Sequence, residues 1–210
     1  MGRSAVSMRA ASWKEVERFG LPVNSDLPEL DDDVTLRRTK SEIENRLLCM
    51  LAIGAAAYGF PKSQAIAWLK GEHLWDELAD VERKFLVASV GDSRAFKEQI
   101  EGMWALVWSL GLTPALDYSR SCPKTFVSML PQLDRGDSSS GLRRETTLRG
   151  GADIRAAVDL AYCLHWAVRQ GELDGGHEKP PVPPYVIRER RRALEWLASD
   201  SDWYQLELDT

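Results

Sequence analysis

The sequence predicts an all-α fold: a single compact domain of about six to eight helices packed around central helices near 41–59, 93–111 and 153–170. Three observations predict it. Apolar residues recur at three- and four-residue spacing through most of the chain. Apart from a weak alternation at Tyr204 to Leu208, no segment of useful length shows the period of two that a strand requires. Gly, Pro and capping residues punctuate the periodic stretches, as they do where helices start and stop.

Residues 1–38 read as a polar lead with a short helix around Trp13 to Phe19, followed by Gly20-Leu21-Pro22, Leu27-Pro28 and an acidic run at Asp31 to Asp33. Residues 39–210 read as the helical domain, with loops at 131–151 and 171–184. Ser41-Glu42-Ile43-Glu44 has the Ser-x-x-Glu form of a capping box, which predicts a helix start near Ser41. Ile43, Leu47, Met50, Gly54 and Tyr58 continue it as one stripe, and Gly59 and Pro61 end it. A second helix spans Lys62 to Lys70 with Ile66 and Leu69 inward. A third covers Val81 to Ser89, with Val81, Phe85 and Ala88 keeping the period.

From Ser93 to Leu110 the spacing of Phe96, Ile100, Met103, Val107 and Leu110 predicts one continuous helix closed by Gly111. Residues 112–151 are irregular, with a short helix at Thr125 to Leu130 and a Ser-rich tract, Asp134 to Gly141, that reads as a surface loop. Ile154, Val158, Ala161, His165 and Val168 mark a long helix from Asp153 to Gln170. The last helix runs from Tyr185 to Ala198.

Composition bounds the function classes. Of the 210 residues 44% are hydrophobic, with eight Trp, which is ample for a core. Lys and Arg number 27 against 32 Asp and Glu; the resulting charge of −5 argues against non-specific binding to nucleic acid or to an anionic membrane. Three cysteines without paired spacing argue against a disulfide framework or a zinc site, and no metal or other cofactor is expected. The longest uncharged apolar run, Leu47 to Phe60, falls short of the roughly 18–20 residues that cross a bilayer. The expected location is therefore cytoplasmic.

Helical spacing also forces polar groups inward. His165 lies on the apolar stripe of its helix, so its imidazole should be neutral and hydrogen-bonded. Arg190 falls on the stripe set by Val186, Ala193 and Leu197 and needs a carboxylate. Glu101 is a candidate for that partner, with Glu44, Asp159 and Asp209 in competition. The sharp reading is a cleft lined by Trp104, Trp108 and Trp166, in which Glu101 and His165 act as base and acid while Arg190 holds an anionic substrate. The plain reading is an ordinary core network, with the Trp faces as packing. Arg188 and Arg190 to Arg192 form a basic run that reads as a solvated helix face, and Cys163 as a small core residue.

Several segments together resemble a known family. Arg38-Thr-Lys-Ser-Glu-Ile43, Ala67-Trp68-Leu69, Leu74-Trp75, Glu101, Met103-Trp-Ala-Leu-Val-Trp-Ser-Leu-Gly111, Leu164-His-Trp-Ala-Val168, Glu189-Arg-Arg-Arg-Ala-Leu-Glu-Trp-Leu197 and Leu208-Asp-Thr210 are similar to the bacterial domain-of-unknown-function family 4272. The likeness runs from about Phe19 to the last residue. It implies a compact, mostly helical fold and supplies no activity, cofactor or catalytic residue.

Two functional expectations follow. The first is a non-catalytic protein–protein interaction module with a protein partner, for example an immunity-type protein that neutralises a cognate basic toxin by charge and shape complementarity. The alternative is a small hydrolase or transferase acting on an anionic metabolite through Glu101, His165 and Arg190.

Overall fold

The computed structural model describes residues 7–30, 35–173 and 180–209. The acidic run Asp31 to Asp33, residues 1–6, residues 174–179 of the expected 171–184 loop, and Thr210 lie outside the described residues. Among those described the fold is all-α, without a strand. In chain order the helices are α1 (Met8–Arg18), α2 (Lys40–Ala57), α3 (Lys62–Gly71), α4 (Asp80–Ala88), α5 (Ser93–Glu98), α6 (Ile100–Ser109), α7 (Ser140–Glu145), α8 (Gly151–Leu173) and α9 (Pro184–Leu197). They are distributed over two compact units. The first comprises Met1–Arg37, Asp117–Ser121 and Arg149–Thr210, and the second Arg38–Leu116 and Cys122–Leu148.

In the first unit α8 packs against both α1 and α9. Ile154, Val158, Ala161, His165 and Val168 are all buried, as their spacing predicts. The helix at the polar N-terminal lead contributes Arg9, Ser12 and Val16 to the interior, at i, i+3 and i+7. α9 begins with Pro184 in its first turn, where the missing N–H costs nothing, and buries Val186, Arg190, Ala193 and Leu197. Arg37 N–H donates to Leu197 O at 2.8 Å and satisfies one of the helix's terminal carbonyls.

The second unit is built on α2, which contacts α3, α4, α5 and α6. Its capping box lies two residues earlier than Ser41 to Glu44. Thr39 Oγ1 accepts from Glu42 N–H at 3.2 Å, while Glu42 Oε2 accepts from Thr39 N–H at 2.7 Å. Glu44 is thereby left to turn inward. The stripe also ends sooner than its spacing suggests: Ile43, Leu47 and Met50 are buried, but Tyr58 caps the helix and is 63% exposed.

Four further elements differ from expectation. The helix read as continuous from Ser93 to Leu110 is interrupted at Gln99, whose ψ of −9° departs from the helical value of about −42°. The α4 face is rotated. Val81 is 37% exposed and Glu82 is fully buried, because the Glu82 carboxylate pairs with Arg46 of α2 and also accepts from Ala79 N–H at 2.9 Å. The segment read as a loop over 131–151 contains a 3-10 turn at Leu133–Arg135 and α7. Its Ser-rich tract is tied to α3 and the residue after it. Trp68 Nε1 donates to Asp137 O at 2.8 Å, and the Ser139 hydroxyl donates to Glu72 at 2.5 Å. The short helix expected at Thr125 to Leu130 is a 3-10 turn, Phe126–Met129.

Gly111 ends α6 with φ +74° at a close crossing. A Cβ there would lie 2.7 Å from Thr147 O, while Thr147 N–H donates to Leu110 O at 2.9 Å. Only glycine satisfies both the left-handed backbone and the contact.

Candidate functional site

His165 is carried on α8 with 7% of its surface exposed. Arg191 Nη1 donates to its Nδ1 at 2.5 Å. A guanidinium can only donate, so Nδ1 accepts and the ring proton sits on Nε2. Burial, and then the charge of Arg191, push the imidazole pKa from 6.5 down to about 4, which keeps the ring neutral at physiological pH. Arg191 also donates to Glu195 Oε1 at 2.5 Å and to Asp209 O at 2.9 Å, and its guanidinium lies 4.8 Å from the Tyr162 ring centroid. Burial raises the Glu195 carboxyl pKa against the pull of Arg191. The ring is thus a buried acceptor in a network tied to the C-terminal segment.

Arg190, one residue earlier, faces elsewhere. It is fully buried and donates from Nη1 to Asp117 O at 2.6 Å and from Nη2 to Arg120 O at 3.0 Å, with Tyr118 5.2 Å below its guanidinium. This grip holds the short Asp117–Ser121 excursion in the first unit. Glu101 belongs to the second unit, where it is 1% exposed and accepts the Cys122 N–H at 2.9 Å. Trp104 and Trp108 of α6 are each 8% exposed, and Trp104 meets Phe126 edge-on at 5.3 Å, a packing contact. Trp166 is half-buried on α8.

The competing carboxylates have other roles. Glu44 accepts from Thr146 Oγ1 and pairs with Arg143 at 3.2 Å. Asp159 is bound by Arg9 and Ser12. Asp209 contributes its backbone carbonyl to Arg191. The basic run of α9 corrects the expectation of a solvated face, since Arg190 and Arg191 are buried and hold backbone oxygens.

Among the described residues, buried ion pairs of Arg9 and Arg46 escaped the sequence reading. Arg9 donates to Asp159 Oδ1 from Nε at 2.9 Å and from Nη2 at 2.8 Å, and adds bonds to Leu27 O and Pro28 O. Arg46 pairs with Glu82. The available signal was positional: Arg46 lies three residues from Ile43 and four from Met50, on the buried side of α2.

The second unit also carries an apolar groove of about 570 Å³, lined among others by Gly54, Met103, Leu51, Phe96, Val127 and Leu133. Lys97, Lys124 and Asp134 stand among its lining residues.

Residues 8–206 match the family described as Domain of unknown function (DUF4272). The chain belongs to that family. No curated protein and no solved structure matches it.

In this DUF4272 chain several of the motif residues make internal contacts. Trp68 anchors the Asp137 carbonyl, the Met103 to Leu110 segment is buried throughout, and Arg190 and Arg191 serve as internal donors. Among the described residues no three His, Cys, Asp or Glu side chains converge as a metal site would need. Nor is any described helix long and apolar enough to cross a membrane.

Proposed function

We propose that this DUF4272 protein is a non-catalytic protein–protein interaction module and, more finely, an immunity-type protein that neutralises a cognate basic toxin in the bacterial cytoplasm. The observation that carries the reading is the C-terminal end of α4 and the turn after it, where Val87 and Val90, three residues apart, are 68% and 59% exposed. Apolar side chains on a surface mark a contact site when they occur together. The net charge of −5 complements a basic partner and would speed its capture. The enzyme reading is the weaker, because it requires Glu101 and His165 to reach substrate and they are 1% and 7% exposed.

The experiment is affinity capture by the full chain from its native cell, compared with the double variant Val87→Asp/Val90→Asp. A basic protein should co-purify in stoichiometric amount with the wild type, dissociate as salt rises, and be lost from the variant. Capture that is absent, or the same in both proteins, would refute the α4 interface. Toxicity of the captured protein when expressed alone, and its relief on co-expression, tests the finer reading.

A further inference from the structure

We propose that the groove of the second unit binds a small apolar molecule with one anionic head group, of the medium-chain carboxylate type. Its chain would lie over Gly54 and its head would meet Lys97 and Lys124. This site is separate from the α4 face and does not depend on the interaction reading.

The volume of about 570 Å³ lies within the roughly 300–1,000 Å³ of small-molecule pockets, and it is far too small for a folded partner. Its wall is aliphatic and aromatic. The lining has a feature that packing does not explain. Gly54 sits in the interior of α2, where glycine is the poorest ordinary residue after proline. A Cβ at this position would meet only Met103 Sδ, at an ordinary 4.0 Å, and the backbone has no positive φ. Neither a close approach nor a turn therefore requires glycine. What the missing side chain does provide is open space in the lining of the groove.

Charge selects the head group. Among the described residues neither Lys97 nor Lys124 has a carboxylate within ion-pair distance. Lys97 instead lies 5.3 Å from the centroid of the exposed Tyr58 ring, a contact that leaves its ammonium donors available. Asp134 is the only acid among the lining residues, so the lining carries a net positive charge on a chain whose net charge is −5. An amphiphile with one carboxylate matches an apolar groove whose lining carries two such lysines. A cationic amphiphile would be repelled, and a neutral one would use only the wall.

The test is calorimetric titration of the full chain with sodium decanoate, 1-decanol and decylammonium, each below its aggregation concentration at pH 7. Decanoate should bind saturably at one site, about tenfold or more tightly than decanol, and decylammonium most weakly. Lys97→Gln/Lys124→Gln should weaken decanoate about tenfold and leave decanol unchanged, while Asp134→Asn should tighten decanoate. Gly54→Leu should abolish binding of both without lowering the melting temperature. Gly54→Ala, a smaller change at the same position, should weaken both and serves if the leucine variant does not fold. Absence of saturable binding, equal affinity for the three amphiphiles, insensitivity to the lysine substitutions, or undiminished binding by the Gly54 variants would each overturn the proposal.

Discussion

The guanidinium of Arg9 grips a single carboxylate oxygen, Asp159 Oδ1, from two of its nitrogens across 150 residues of chain, with the side chains 4% and 0% exposed. Ser12 Oγ fills the other oxygen at 2.6 Å. Removing one member strands a desolvated charge, so Arg9→Ala should destabilise the protein by about 3–5 kcal/mol in urea unfolding. The paired change Arg9→Met/Asp159→Leu should cost much less, because it removes both charges at similar volume. Losses in Arg9→Met and Asp159→Leu that simply sum to the loss in the double variant would show that the pair is not coupled.

His165 makes stability depend on acidity in a defined window. In the folded chain its pKa is about 4, and in the unfolded chain it returns to about 6.5. Above pH 6.5 both states hold the ring neutral and stability is full. As pH falls from 6.5 to 4 only the unfolded chain takes up the proton, so stability declines. Below 4 both states are protonated and this group adds no further loss. The full swing is on the order of 3 kcal/mol. Unfolding free energies of wild type and His165→Gln should therefore diverge in their pH slope between 6.5 and 4 and run parallel above 7. Parallel curves throughout would contradict the burial of a neutral ring.

The position of the α2 cap can be checked directly. Thr39→Ala should cost about 1 kcal/mol, whereas Ser41→Ala should change stability by less than about 0.5 kcal/mol. The reverse order would move the helix start to Ser41.

Thiol chemistry should divide the cysteines. Burial raises Cys49 to about 12 and Cys163 to about 11, while Cys122 is half-exposed. Ellman's reagent should therefore label one thiol quickly in the native protein, Cys122→Ser should abolish that phase, and the other two should react only on unfolding.

How much of this was legible in the sequence depends on the range of the interaction. The periodicity of Val186, Ala193 and Leu197 placed Arg190 indoors, because a helix fixes the direction of every side chain from its neighbours alone. What Arg190 would hold was not legible. Among its acceptors are main-chain oxygens of Asp117 and Arg120, some 70 residues away in an aperiodic stretch, and a carbonyl is common to all residue types. The rotation of α4 has the same origin. Val81 and Glu82 compete for one direction, and the outcome is decided by Arg46 on another helix. Helical spacing also placed Glu101 and His165 inward, and both are buried. The groove was invisible for a related reason: its lining comes from segments far apart in the chain.

Arg9, Arg190 and Arg191 share one habit: each clasps the peptide oxygens of an irregular stretch, namely Leu27 and Pro28, Asp117 and Arg120, or Leu208 and Asp209. Such clasps are indifferent to the letters spelled along those stretches and sensitive to their length. Point exchanges there that preserve the backbone route should be absorbed, whereas inserting or deleting a single residue would swing the oxygens out of reach and loosen the first unit.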